Sequence, residues 1–209
     1  MALLIEGVVG NGRAGLADGS NTSLRLGKTS ELVVGDAHAR YYEAVSRGNV
    51  FLAANSATQA LSVNSTTATG MILTNPFGSG KNLVLLEVCV AIASLPAGQS
   101  TLILTGNPSA TTTEPTHTTP LVVRNSLISS GAAAVGKADS AATIGAATIL
   151  RIIGAGTAAT VATSTAFPPF IRDEVAGLII LAPGTCISLQ ALTTALTVVS
   201  SIMWEEVPI

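Results

Sequence analysis

The chain has 209 residues, of which 48% are hydrophobic, 11% charged and 3% aromatic, with a formal net charge of −2. That length accommodates one β-sandwich with an appendage, or two small domains, and it buries a core without disulfides or metals. With that mild acidity nothing points to nucleic acid or an anionic membrane as a partner. So few charges leave a surface that tends to associate, and an oligomer is therefore expected.

The apolar residues are mostly Ala, Val, Leu and Ile, accompanied by many Thr, Ser and Gly. Such a mixture favours strands and tight turns, because β-branched side chains sit well on a pleated surface. The first 50 residues stand apart, holding 10 of the 22 charged residues. Gly7, Gly10, Gly12, Gly15, Gly19, Gly27 and Gly35 interrupt the short apolar pieces Leu3–Ile5, Leu24–Leu26 and Leu32–Val34. No helical period survives that glycine density. Residues 1–48 read as an extended arm with short strand segments, ordered against a partner or neighbouring subunit, or else as edge strands of the main domain. Met1–Val9 lacks a basic segment and is interrupted by Glu6, so no signal peptide is expected there.

Residues 49–209 read as strands separated by turns. Short strands are expected at Val50–Ala53, Ala60–Val63 and Gly70–Thr74, followed by a turn over Asn75–Gly80. Asn82–Ala93 is a long strand whose near-continuous apolarity points to burial on both faces. After the turn at Leu95–Gly98, Thr101–Thr105 is expected to return as a hairpin partner. Asn107–Pro120 reads as a Thr/Pro-rich loop carrying His117, of a length typical of functional or interfacial loops. Further strands are expected near Leu121–Ile128, Ala134–Ala138 and Thr148–Ile153, with an extended corner at Pro168-Pro169. Val175–Leu181 and Cys186–Leu192 flank Ala182-Pro183-Gly184-Thr185, which reads as a hairpin-type turn. Thr197–Glu205 is the last strand. Turns about every 10 residues argue for a sandwich or barrel. The tract from Ser140 to Phe170 is neutral but broken by Arg151 and rich in Gly, Thr and Ser, so it is no membrane-spanning helix.

The candidate motifs carry little chemistry. Gly10-Asn11-Gly12-Arg13-Ala14-Gly15 fits the dinucleotide fingerprint, with Glu31 at a plausible distance for a ribose contact. The turn-forming residues Leu16–Asn21 follow it where a helix should begin, and the βαβ alternation is missing. Gly78-Ser79-Gly80-Lys81-Asn82 echoes a phosphate loop, with Asn75 in place of the first Gly and Asn82 in place of the hydroxyl residue. His38 and His117 have no Cys or second His at metal-ligand spacing, and no nucleophile elbow is present. Asp173-Glu174 and Glu205-Glu206 are adjacent on strands and so point to opposite faces, which suits solvated edges or salt bridges. Trp204 reads as a plug in a core or subunit interface. Cys89 and Cys186 read as buried free thiols, a disulfide between facing strands being the alternative. Asn21-Thr-Ser and Asn64-Ser-Thr match a glycosylation pattern relevant only in a eukaryotic secretory context. No catalytic, metal or cofactor-binding residue is expected.

Asp36-Ala37-His38-Ala39-Arg40-Tyr41-Tyr42-Glu43 and Ser46-Arg47-Gly48-Asn49-Val50-Phe51 lead into the strand-rich region. That region carries Asn75–Asn82 and closes on Leu181-Ala182-Pro183-Gly184 and Met203-Trp204-Glu205-Glu206. Residues 35–209 resemble bacteriophage virion structural proteins, the capsid decoration or cement proteins of short-tailed phages. The resemblance implies an all-β, jelly-roll-like β-sandwich with an extended N-terminal arm. It also implies a homotrimer bound to the major capsid protein lattice on the virion surface, assembled in the host cytoplasm, that stabilises the head without enzymatic activity. The competing expectations are a tail-fibre or receptor-binding sandwich, which would want more than seven aromatics, and a nucleotide-binding protein resting on Gly10–Gly15.

Overall fold

The computed structural model describes residues 39–94, 96, 98–107, 115–156 and 170–209. The chain divides into two compact units, Met1–Tyr42 and Glu43–Ile209, and the fold below is that of the second. The Gly10–Gly15 motif, Glu31, His38, Pro168-Pro169 and most of the expected arm lie outside the described residues.

Where an extended arm was expected to end, a short helix α1 (Tyr42–Ser46) forms instead. Its end shows why glycine and helix coexist here. Gly48 has φ +74° and its N–H donates to Val45 O at 2.9 Å, while the Asn49 N–H donates to Ala44 O at 3.1 Å. That pair of bonds is the Schellman C-cap, which needs a left-handed residue at this position. Gly48 O then accepts from Asn125 Nδ2 at 2.6 Å, tying the helix end to the sandwich.

The remainder is an all-β sandwich. In chain order the strands are β1 (Val50–Ala54), β2 (Gln59–Ala60), β3 (Thr67–Thr74), β4 (Lys81–Ser94), β5 (Ser100–Asn107), β6 (Thr116–Pro120) and β7 (Val123–Asn125). They continue with β8 (Lys137–Thr143), β9 (Thr148–Gly156), β10 (Phe170–Glu174), β11 (Ile180–Leu181), β12 (Cys186–Ala191) and β13 (Thr197–Pro208). The first sheet runs β10-β4-β13-β1-β7, with β11 also on β4 and β2 on β13; the second runs β6-β8-β3-β12-β5-β9. All of these strand pairings are antiparallel.

The core lies between the sheets and follows strand alternation. From β13 it takes Val198, Ile202 and Trp204, from β12 Ile187, Leu189 and Ala191, and from β5 Leu102 and Leu104. Trp204 is fully buried and stacks on Phe51, ring centroids 6.2 Å apart, filling the core as its isolation in the sequence suggested. Truncating it to Ala removes a payload of about 3–5 kcal/mol.

Four expectations about the strands and their connections are corrected. β4 is buried on one face, not two. Leu83 and Leu85 point inward, then Val88, Val90 and Ile92, the phase changing at a bulge where Trp204 pairs Leu85 and Met203 pairs Glu87. Leu86 is the extra residue. Residues 101–105 do not return along β4: β5 lies in the other sheet, paired with β12 and β9. Ala182–Thr185 is a turn but not a hairpin, since it carries the chain from β11 in one sheet to β12 in the other. There Thr185 N–H donates to Ala182 O at 3.2 Å and Gly184 N–H to Asn75 O at 2.8 Å. Gly184 has φ +84°, and a Cβ on it would fall on the Phe77 ring. Local turn chemistry reads the same for a hairpin and for a crossover; only the sheet on either side distinguishes them. The strand expected at Val175–Leu181 shrinks to β11, because Ala176 and Gly177 turn the chain away over Leu86 and Leu85, whose carbonyls accept their N–H groups.

Candidate functional site

His117 is the residue most changed by folding. Thr116–Pro120 is an edge strand, not a loop, and it pairs with β8 so that His117 approaches Asp139. Nδ1 of the imidazole lies 2.5 Å from Asp139 Oδ2. Asp139 is fully buried and His117 about one-fifth exposed. Where the carboxyl is ionised it only accepts, and Nδ1–H is then the donor. His117 therefore has the partner that sequence spacing hid, 22 residues away on another strand. Beside the pair is a cleft of about 350 Å³ lined by His117, Pro120, Leu121, Val123, Lys137 and Asp139.

The pair orients an imidazole, as a catalytic dyad or a metal-bound histidine would require. The remaining components are not assembled. His117 Nε2 and Asp139 Oδ1 are buried without a hydrogen-bond partner, so no described hydroxyl or thiol completes a triad. Among the described residues no three His, Cys, Asp or Glu side chains converge as metal ligands. Mechanically, the pair pins edge strand β6 to β8.

The paired acids divide. Asp173 forms a bidentate bridge to Arg151, Nε to Oδ2 at 2.9 Å and Nη2 to Oδ1 at 2.8 Å, which joins β10 to β9 across the sheets. Of the two expected roles, solvated edge or salt bridge, Glu206 takes the second, fully buried and paired with Lys81. Its carboxylate accepts from Lys81 Nζ at 2.9 Å, Val135 N–H at 2.8 Å and Gly136 N–H at 2.9 Å, with Trp204 Nε1 at 3.4 Å. An acid is tolerated in a core end only with such a set of donors.

Both cysteines are free, which removes the disulfide alternative. Each sits on the outer face of a different sheet. Cys186 is buried, and burial pushes its thiol up to about 11. Cys89 is only half-buried; burial, then its bond to Glu87, pushes it to the same value of about 11. Arg172, hydrogen-bonded to Glu87 at 2.7 Å, is the main cause holding the Glu87 carboxyl below its usual range, with the Cys89 thiol adding to it.

The surroundings of those two thiols differ. The outer row Asp139, Ile72, Ser188 and Thr105 crosses the second sheet and is buried throughout. On the first sheet, the outward positions Cys89, Ala91, Ser201 and Met203 are only partly covered, and Phe170 is 64% exposed. In comparisons with known proteins, no family model matches the chain, and no curated protein and no solved structure matches it. Among the described residues no helix is long and apolar enough to cross a membrane.

Proposed function

We propose that this chain is a non-enzymatic structural protein of a bacteriophage virion, a capsid decoration protein that binds the major capsid lattice as a homo-oligomer, a trimer being favoured. A jelly-roll-like path for the sandwich and an extended arm contacting the lattice belong to the same reading. The observation that carries it is the character of the surface. Ile128, Leu178, Val122, Ile152 and Phe170 are all more than 60% exposed on a chain with only 11% charged residues. A monomer with such a surface would associate; a subunit within an assembly covers it. The His117–Asp139 pair is explained as a strand clamp and asks for no substrate.

The test is co-sedimentation of the purified full chain with capsids of the phage that encodes it. Saturable binding at a fixed ratio to the major capsid protein is the expected result, and loss of that binding on removing residues 1–42 would assign the contact to the arm. A chain that stays in the supernatant at every concentration would overturn the proposal.

A further inference from the structure

We infer that the outer face of the first sheet is the surface on which a second copy of this chain packs. The inference rests on the oligomeric part of the reading above and assigns it a place. In an antiparallel sheet with one solvated face, outward positions are polar. Here they are not. Across the strands from β10 to β1, one outward row is Phe170, Ala91 and Val199, and the next is Arg172, Cys89, Ser201 and Ala54. A third runs Glu174, Glu87, Met203, Leu52 and Arg124, and a fourth Ile180, Val84 and Glu205. Most of these side chains are apolar or small. The charges lie mainly toward the edge strands, and Arg172 is already neutralised by Glu87. An apolar centre with a polar rim that includes arginine is the make-up of a protein interface.

The size fits a second copy. Five strands at a spacing of about 4.8 Å make the face roughly 20 Å wide, and the rows from Val84 to Ala93 make it roughly 30 Å long. Because β10, β1 and β7 are short, the strands fill about 500 Å² of that outline per copy and about 1,000 Å² in all, at the threshold for a specific interface. The relief is self-complementary as well. Phe170 projects beside a depression of about 250 Å³ floored by Ala54, Cys89, Ala91, Val199 and Ser201. A protruding ring next to a floor of small residues offers one copy both the knob and the hole that another needs. The length of β4 now has a reason: its inward residues fill the core and its outward ones await a neighbour.

The experiment measures native mass by light scattering on full-length protein for the wild type, V199D, F170D and T143D, the last placing the same charge on an exposed position of the second sheet. The wild type and T143D should give a multiple of 20.9 kDa. V199D and F170D should fall to a single chain, with a dissociation constant raised ~100-fold or more by a carboxylate desolvated in the contact. S201R, a basic change on the same floor, should do likewise and guards against a disturbance peculiar to an acid. A monomeric wild type would overturn both this interface and the oligomeric reading. A wild-type oligomer that V199D, F170D and S201R leave intact, or that T143D dissociates equally, would overturn this face alone.

Discussion

The two outer faces of the sandwich are made of similar strands and meet different fates. On the second sheet, loops close over the strands. Gln190 holds the cover in place: its Oε1 accepts from Ser65 N–H at 2.7 Å and Ser62 Oγ at 3.1 Å, while its Nε2 faces Ser65 O, Thr105 Oγ1 and Ser188 Oγ. The Ile144 N–H donates to Thr66 O at 2.8 Å, and Ile144 packs with Ala68, Ile72, Ala142 and Cys186 into a second small core. On the first sheet, a cleft opens over Cys89, Ala91 and Ser201 instead. A sheet face whose middle is made mostly of apolar or small side chains has to be covered from within the chain or from outside it. This molecule does the first on one side and, by the inference above, the second on the other.

Among changes to the two outer faces, the largest effect on stability should come from loosening the internal cover. Gln190→Ala leaves several buried partners unsatisfied and should cost about 3 kcal/mol in urea unfolding. A loss below about 1 kcal/mol would mean that the loops stay down without it. Asp139→Asn, at the end of the same covered row, should cost about 2 kcal/mol by removing the carboxylate from His117, with β6 amides exchanging faster. An unchanged exchange pattern at β6 would remove the role of the pair as a clamp.

Changes on the first sheet should barely touch stability. Glu87 has a lowered folded pKa, so its pairing with Arg172 stabilises the fold above the ordinary value of 4.5 and is lost as pH falls through the lowered one. Arg172 is exposed and screened, so Glu87→Gln should flatten the acid limb of the stability curve by less than about 1 kcal/mol. A larger change would place the ion pair in a drier setting than the single chain provides. Smallest of all, V199D should leave the unfolding free energy of the separated chain within about 0.5 kcal/mol.

Much of the fold was legible in the sequence, and the limits have physical causes. Strand and turn positions follow from β-branched runs and from Pro, Gly and Asn, and so Val50–Ala53, Asn82–Ala93, Cys186–Leu192 and Thr197–Glu205 lie close to observed strands. Even the bulge in β4 is written in the spacing of Leu85 and Val88. Which strand pairs with which was not legible, because Leu95–Gly98 and Ala182–Thr185 have ordinary turn residues whether the chain stays in its sheet or changes it. His117 was misplaced for a related reason: Thr116–Pro120 has a Pro and no apolar alternation, and only an edge strand clamped by Asp139 makes it a strand. The burial of Glu206 depends on N–H groups of Val135 and Gly136, about 70 residues distant, which side-chain patterns do not carry. Of the candidate surface, the apolar run of β4 was visible but read as burial on both faces. The single chain supplies one of those faces, and the missing one is the inferred interface.

The two thiols test that claim most directly. Burial pushes both thiols up to about 11, so each is mostly protonated at neutral pH and a change in the alkylation of one thiol between two forms of the protein reports access. Iodoacetamide labelling read by peptide mass spectrometry would compare wild-type protein with V199D. Cys186 should resist in both until the protein unfolds. Cys89 should be protected in the wild-type assembly and react at least ~10-fold faster in V199D, even though the added carboxylate itself disfavours the thiolate. Equal Cys89 rates in an oligomeric wild type and a monomeric V199D would contradict the account, because the outer face of the first sheet would then be open to solvent in both.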